Sequence, residues 1–275
     1  MNRAILFISF LFIVQSLGAQ DNTSKLEQAQ AALQEKNYEL AHNLYQQAFK
    51  GAKENSISGD DYFNAAWAAQ KAEQFEKAID MYDYAISLQT NVAECLQGKC
   101  ESLIAIGKVD EVKQIDPENI AKWQYKAAVY AYSKEKYEDA ATRFALSISQ
   151  GYNVENAIIY QYNSLMKAGR VDDAENLITN QVGNFPNSKL TITMSNILLK
   201  DGVKSYQEGL QALSEAEQQI ITGKSHRKDK EYSAQIKLAK TKFKEAYIFA
   251  EEALVFDSTN VEIQALSKAC QIQLK

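Results

Sequence analysis

The side chains that most often carry out catalysis are scarce in this sequence of 275 residues. It contains only two histidines, His42 and His226. His42 lies between Ala41 and Leu44 in a predicted helix and is interpreted as a structural residue at or near the surface, whereas His226 falls in a polar loop. No paired metal-binding histidines, nucleophile elbow or glycine-rich phosphate loop occurs. The sequence therefore predicts a non-catalytic protein with no catalytic residue, no cofactor and no metal site.

The three cysteines are the other reactive groups. Cys95 and Cys100 are five residues apart on one predicted helix, so they point to different faces, and Cys270 lies near the C-terminus. No two cysteines have the C-x-x-C spacing of a redox or zinc motif. We expect three buried thiols that act as small apolar side chains, and no disulfide framework.

A long repeat provides the elements that must position these residues. Small side chains recur in pairs seven residues apart: Ala41/Ala48, Ala78/Ala85, Ala140/Ser147, Gly209/Ala216 and Ala246/Ala253. Val112 and Ala174 fill the two gaps, and the successive intervals are 37, 34, 28, 34, 35 and 37 residues. Each interval holds apolar residues at helical spacing in two segments. A period of this length, with only two prolines in the chain, predicts an all-α solenoid of about seven helical hairpins.

The repeats resemble the tetratricopeptide repeat family, whose unit has small residues at positions 8, 20 and 27 and aromatic residues at 17 and 24. The matching positions are Ala29, Tyr38, Ala41, Tyr45 and Ala48; Ala66, Phe75, Ala78, Tyr82 and Ala85; Ala128, Tyr137, Ala140, Phe144 and Ser147; and Ala234, Phe243, Ala246, Ala250 and Ala253. Residues 93–120 are truncated by Asp116-Pro117, and residues 190–223 keep few of the motif positions. Three groups of repeats follow, 22–120, 121–188 and 190–275, and residues 261–275 form a capping helix at the end of the third group.

The resemblance also implies a binding groove, because in this family the first helix of each repeat lines a concave surface. Transferred position by position, the candidate groove residues are Phe63, Trp67, Lys71, Tyr125, Val129, Tyr132 and Asn163. Aromatic side chains on such a wall suit an extended or helical peptide. If the repeat phase is shifted by one or two residues, the same side chains belong to the core instead.

A basic segment stands out in an acidic protein. Residues 224–244 hold eight basic and two acidic side chains, a local excess of +6, whereas the whole chain carries −5. Its candidate binding residues are Arg227, Lys228, Lys230 and Lys237. Such a patch suits an acidic partner or an anionic membrane surface. The alternative is a solvated helix face, which is favoured if the turn predicted near Lys240 interrupts the stripe.

The first 19 residues have the pattern of a secretory signal peptide. Arg3 precedes an apolar run from Ala4 to Val14, interrupted only by Ser9, and small and polar residues follow up to Ala19. Cleavage there predicts an exported protein, periplasmic or secreted; a retained membrane anchor is the alternative. The acidic balance argues against a nucleic-acid partner.

These observations together predict an exported scaffold or adaptor of the cell envelope that binds a protein or peptide partner in its groove. A second hypothesis is a glycan-binding module, in which Trp67 and Trp123 stack on sugar rings. The sequence identifies neither the partner nor the oligomeric state.

Overall fold

The computed structural model describes residues 24–50, 52, 56–186, 188–224 and 226–275. They divide into two compact units, an N-terminal unit that ends at Lys134 and a C-terminal unit that begins at Glu135. The division falls between the two helices of the predicted fourth repeat. The predicted signal peptide, residues 1–19, lies outside the described residues.

The N-terminal unit is built from consecutive antiparallel helices. They are α1 (24–34), α2 (Tyr38–Lys50), α3 (Gly59–Lys71), α4 (Phe75–Ser87), α5 (Val92–Ala105), α6 (Val109–Ile115) and α7 (Ile120–Ser133). A short 3₁₀ helix, Pro117–Asn119, separates α6 from α7. Ser58 caps α3 by accepting a hydrogen bond from the Asp61 amide, and the Asp61 carboxylate accepts one from the Ser58 amide in return.

The C-terminal unit combines shorter helices with two long ones. They are α8 (Tyr137–Ser149), α9 (Val154–Lys167), α10 (Val171–Gln181), α11 (Lys189–Ile221), α12 (Lys230–Phe256) and α13 (Val261–Leu274). A 3₁₀ turn, Val182–Asn184, follows α10. Helix α13 packs its buried residues against α12, as expected for the capping helix.

The tight turns within the repeats share one backbone conformation. Three residues separate the paired helices, and the middle one is left-handed: Lys36 (φ 61°), Glu73 (φ 56°), Gly107 (φ 82°), Glu135 (φ 60°) and Gly169 (φ 80°). In four of these turns the amide of the third turn residue, for example that of Gln74, donates back to the preceding helix. This hydrogen bond compensates for the strain at Lys36 and Glu73, which are not glycine.

The small residues of the repeat occupy the core, as predicted. Ala41, Ala78, Ala140, Ala174 and Ala246 are completely buried. At Gly209, an added Cβ would lie 2.7 Å from the ring of Phe243, so the close approach of α11 and α12 requires a residue without a side chain there. The all-α solenoid class, built from helical hairpins, is thereby confirmed within each unit.

Two predicted helix breaks are wrong. Residues 190–221 do not form a hairpin but lie in the single 33-residue helix α11, and no turn occurs near Lys240, which lies within the 27-residue helix α12. Gly202 lies inside α11 at a close helix crossing, where Leu266 of α13 is 2.9 Å from the position that a Cβ would take. Ala234, expected in the core, is exposed, because α12 continues without a turn and its second half does not fold back over Ala234.

Candidate functional site

The N-terminal unit contains a cleft of about 520 Å³ across the first helices of three successive repeats. Its walls come from the C-terminal halves of α3, α5 and α7 and from the start of α4, and we call it the α3–α5–α7 cleft. Its apolar wall consists of Phe75, Ile104, Tyr125, Val129 and Tyr130. Val129 is 41% exposed on α7, although its neighbours Ala127 and Ala128 are buried. The cleft therefore offers uncovered apolar surface within a folded scaffold.

Polar side chains form a fixed network beside this wall. The Tyr82 hydroxyl donates to Gln70 Oε1 at 2.8 Å, and Gln70 Nε2 donates to Glu101 Oε2 at 3.3 Å. Lys126 Nζ donates to Glu101 Oε1 at 2.7 Å. Burial by itself would raise the pKa of Glu101, but the hydrogen bond and the charge of Lys126 hold that pKa below its ordinary value. Glu101 is thus a paired carboxylate that orients its neighbours, a role different from that of a proton donor.

The shortened third repeat shapes the cleft. Helix α6 has seven residues, whereas α2 and α4 have 13 each. Repeats normally contact only their neighbours, yet here the turn of the second repeat reaches the end of α7. The Phe75 and Tyr130 rings pack edge to face at 6.3 Å, and Lys134 Nζ lies 2.9 Å from Glu73 Oε1. These contacts close one side of the cleft.

The structure brings together three of the seven candidate groove residues. Lys71, Tyr125 and Val129 line the cleft. Phe63 and Trp67 do not line the cleft. Phe63 packs on the Tyr82 ring at 6.3 Å, and Trp67 packs edge-on against Tyr38 at 5.4 Å. Tyr132 is half-buried on α7 and does not line the cleft, and Asn163 is half-buried on α9 of the C-terminal unit.

Sequence reasoning missed Phe75 and Tyr130 as cleft residues. Phe75 occupies an aromatic repeat position and was therefore assigned to packing. The only signal in the sequence was the 28-residue interval, which marks the shortened repeat.

Trp123 is unavailable for stacking on a ligand, contrary to its suggested role in sugar binding. Its side chain is 3% exposed, and its Nε1 donates to Asp116 Oδ2 at 2.8 Å. Lys126 Nζ lies 4.8 Å from the ring centroid, a cation–π contact. The tryptophan thus anchors the start of α7 to the break after α6.

The three cysteines and His42 are packed as structural residues. All three cysteines are buried and free, and burial raises the pKa of Cys95 and Cys100 to about 11. His226 is exposed, with its amide donating to Asp229, whereas His42 is more buried than expected. Within the described ranges, no three His, Cys, Asp or Glu side chains cluster as metal ligands.

The basic segment lies at one end of the α11–α12 hairpin. Arg227 and Lys228 are exposed in the connecting loop, and Lys230 and Lys237 are exposed on α12. No helix in the described part of the chain combines the length and apolarity needed to cross a membrane.

The helix pairs, their three-residue turns and their buried small residues define the repeat type. In these features the repeats resemble tetratricopeptide repeats. No family model matches the chain, and no curated protein matches it.

Solved structures of three tetratricopeptide repeat proteins are similar to it. A protein from Bacteroides fragilis is 17% identical with a TM-score of 0.34, covering 92% of this chain and 98% of that one. A protein from Parabacteroides merdae is 14% identical with a TM-score of 0.35, covering 92% and 99%. The C-terminal part of a protein from Cytophaga hutchinsonii is 12% identical with a TM-score of 0.37, covering 94% of each chain.

Proposed function

We propose that this tetratricopeptide-like protein is a non-catalytic scaffold that binds a peptide segment of a partner protein in the α3–α5–α7 cleft. The observation that carries the proposal is the partly exposed apolar wall of Val129, Tyr125 and Phe75, which lies beside the already paired Glu101 and Lys126. Aromatic side chains in such a wall contribute a large share of binding energy.

The charges of the cleft indicate what kind of peptide fits. Glu101 is neutralised by Lys126, whereas Lys71 is exposed and forms no ion pair with any described residue. A peptide with an apolar or aromatic anchor and a nearby acidic side chain would bury the anchor on the apolar wall and place the acidic side chain beside Lys71. We propose export to the periplasm or the outside of the cell as the setting, on the basis of the N-terminal apolar run.

The test starts from the chain lacking residues 1–19 and a display library of random peptides. Peptides selected by binding are measured against Val129→Asp, which places a charge on the apolar wall. We expect these peptides to bind this variant at least about tenfold more weakly, because an unpaired carboxylate costs roughly 1–3 kcal/mol when desolvated.

The matched control is Val203→Asp on α11. Val203 is 38% exposed, close to the exposure of Val129, and it lies outside the cleft. Equal affinity of the selected peptides for both variants would contradict the proposal, as would the failure of the library to yield any binder.

A further inference from the structure

The unbroken α12 creates a surface that the predicted turn would have destroyed. At about 100° per residue, Lys230, Lys237, Lys240 and Lys244 fall within one sector of the helix about 80° wide. All four are exposed. They extend over 14 residues, or about 21 Å of helix length. We call this row the lysine face.

The lysine face points away from the rest of the C-terminal unit. The buried residues of α12, among them Ala239, Phe243 and Ala246, lie on the opposite side of the helix and pack on α11. Nothing in the described part of the chain therefore covers the four lysines.

These four lysines are not neutralised by the protein. Lys242, on another side of α12, lies 3.0 Å from Glu208 and 2.9 Å from Glu245. Among the described residues, by contrast, no acidic side chain forms an ion pair with Lys230, Lys237, Lys240 or Lys244. The nearby Glu231 is one residue from Lys230 and so lies about 100° around the helix. A row of unpaired positive charge thus persists in a chain whose net charge is −5.

The neighbouring hairpin loop extends the charge and adds an apolar side chain. Lys224, Arg227 and Lys228 are exposed in the connection between α11 and α12. Ile221, at the end of α11, is 81% exposed beside them. Basic residues flanking an exposed apolar side chain are typical of proteins that bind at the membrane interface.

We propose that the lysine face docks on the anionic surface of a membrane, where it contacts the phosphates of acidic lipids. Lysine acts as a hydrated point charge on a flexible stem, which suits a surface of many mobile phosphates without fixed partner positions. Clusters of four or more basic side chains are attracted to such anionic surfaces by their summed charge. A convex helix face also matches an extended layer of negative charge. This inference is independent of the peptide-binding cleft.

The test is sedimentation of the chain lacking residues 1–19 with vesicles of phosphatidylcholine alone or mixed with phosphatidylglycerol. We expect binding to the anionic vesicles only, and weaker binding as salt shortens the screening length. Because each lysine near an anionic surface contributes roughly fivefold in partitioning, replacing all four by glutamine should weaken binding by about several hundredfold.

The control variant removes the same charge elsewhere. Lys36, Lys50, Lys113 and Lys167 are exposed outside the lysine face, and their replacement by glutamine keeps the net charge equal to that of the test variant. An equal loss in both variants would show a net-charge effect and overturn the proposal. Binding to neutral vesicles, or binding of polyglutamate without binding of anionic vesicles, would overturn it as well.

Discussion

His42 shows how the repeat places a titratable group where it has no charge partner. The side chain is 4% exposed, and its Nε2 forms no hydrogen bond with any described residue. Burial, and to a smaller extent the charge of Lys77, lowers the pKa of His42 below the ordinary value of 6.5. At neutral pH the folded state therefore favours the neutral imidazole of His42.

This burial predicts a stability that depends on pH. Below about pH 6.5 the unfolded chain binds a proton at His42 that the folded chain resists, so the free energy of unfolding should fall as the pH decreases through that range. Urea unfolding of the wild type and of His42→Gln between pH 7.5 and 5 measures this effect. The variant should lose less stability on acidification.

The control for this prediction is His226→Gln, because His226 is exposed in a loop. Its pH dependence of unfolding should match that of the wild type. A slope for His42→Gln that is as steep as the wild-type slope would rule out His42 as the source.

At the level of helices, the contact between the second repeat and α7 is the most consequential. We predict an energetic coupling between Phe75 and Tyr130 of about 0.5–1.5 kcal/mol, the range for an edge-to-face aromatic pair. The measurement is a double-mutant cycle with Phe75→Ala and Tyr130→Ala in urea unfolding.

A second cycle serves as the reference. Tyr84 lies near the far end of α4, where it stacks on Tyr62 at 5.0 Å, and should show no coupling with Tyr130. If the Phe75–Tyr130 cycle gave the same near-zero value as the Tyr84–Tyr130 cycle, α7 would not contact the second repeat in solution.

The sequence predicted the elements of this region better than their contacts. The helical period, the small core residues and the truncation at Asp116-Pro117 all follow from local chemistry, because each depends on the pattern within one repeat. The pairing of Phe75 with Tyr130 depends on how far α6 separates two repeats, which is a property of the packed array. Lys71, Tyr125 and Val129 were found because family position alone determines their face.

The uninterrupted helices α11 and α12 were not predicted from the sequence, for a different reason. A glycine within a repeat pattern marks either a turn or a close crossing of helices, and Gly202 serves the second purpose. Around Lys240 the sequence Lys-Leu-Ala-Lys-Thr-Lys contains no residue that stops a helix. The repeat pattern of the family predicts a turn near Lys240. The local helix propensity favours a continuous helix, and the structure has the continuous helix.

For the whole molecule, the three buried thiols imply that the fold is stable without a disulfide bond. All cysteines of the chain lie among the described residues, and none is paired. We predict that a reducing agent leaves the thermal unfolding midpoint unchanged, and that a thiol reagent reacts with three cysteines only after unfolding. A midpoint lowered by the reducing agent would show that a disulfide contributes to stability.

The shortened α6 has a consequence for how such an array can evolve. In a uniform array any repeat can be duplicated or lost at little cost, because every junction is equivalent. Here the junction at α6 is not equivalent to a regular one, since only a short α6 lets Phe75 and Glu73 reach α7. The segment from α3 to α7 thus has a fixed order and length, because a repeat inserted into it or removed from it would separate these contacts.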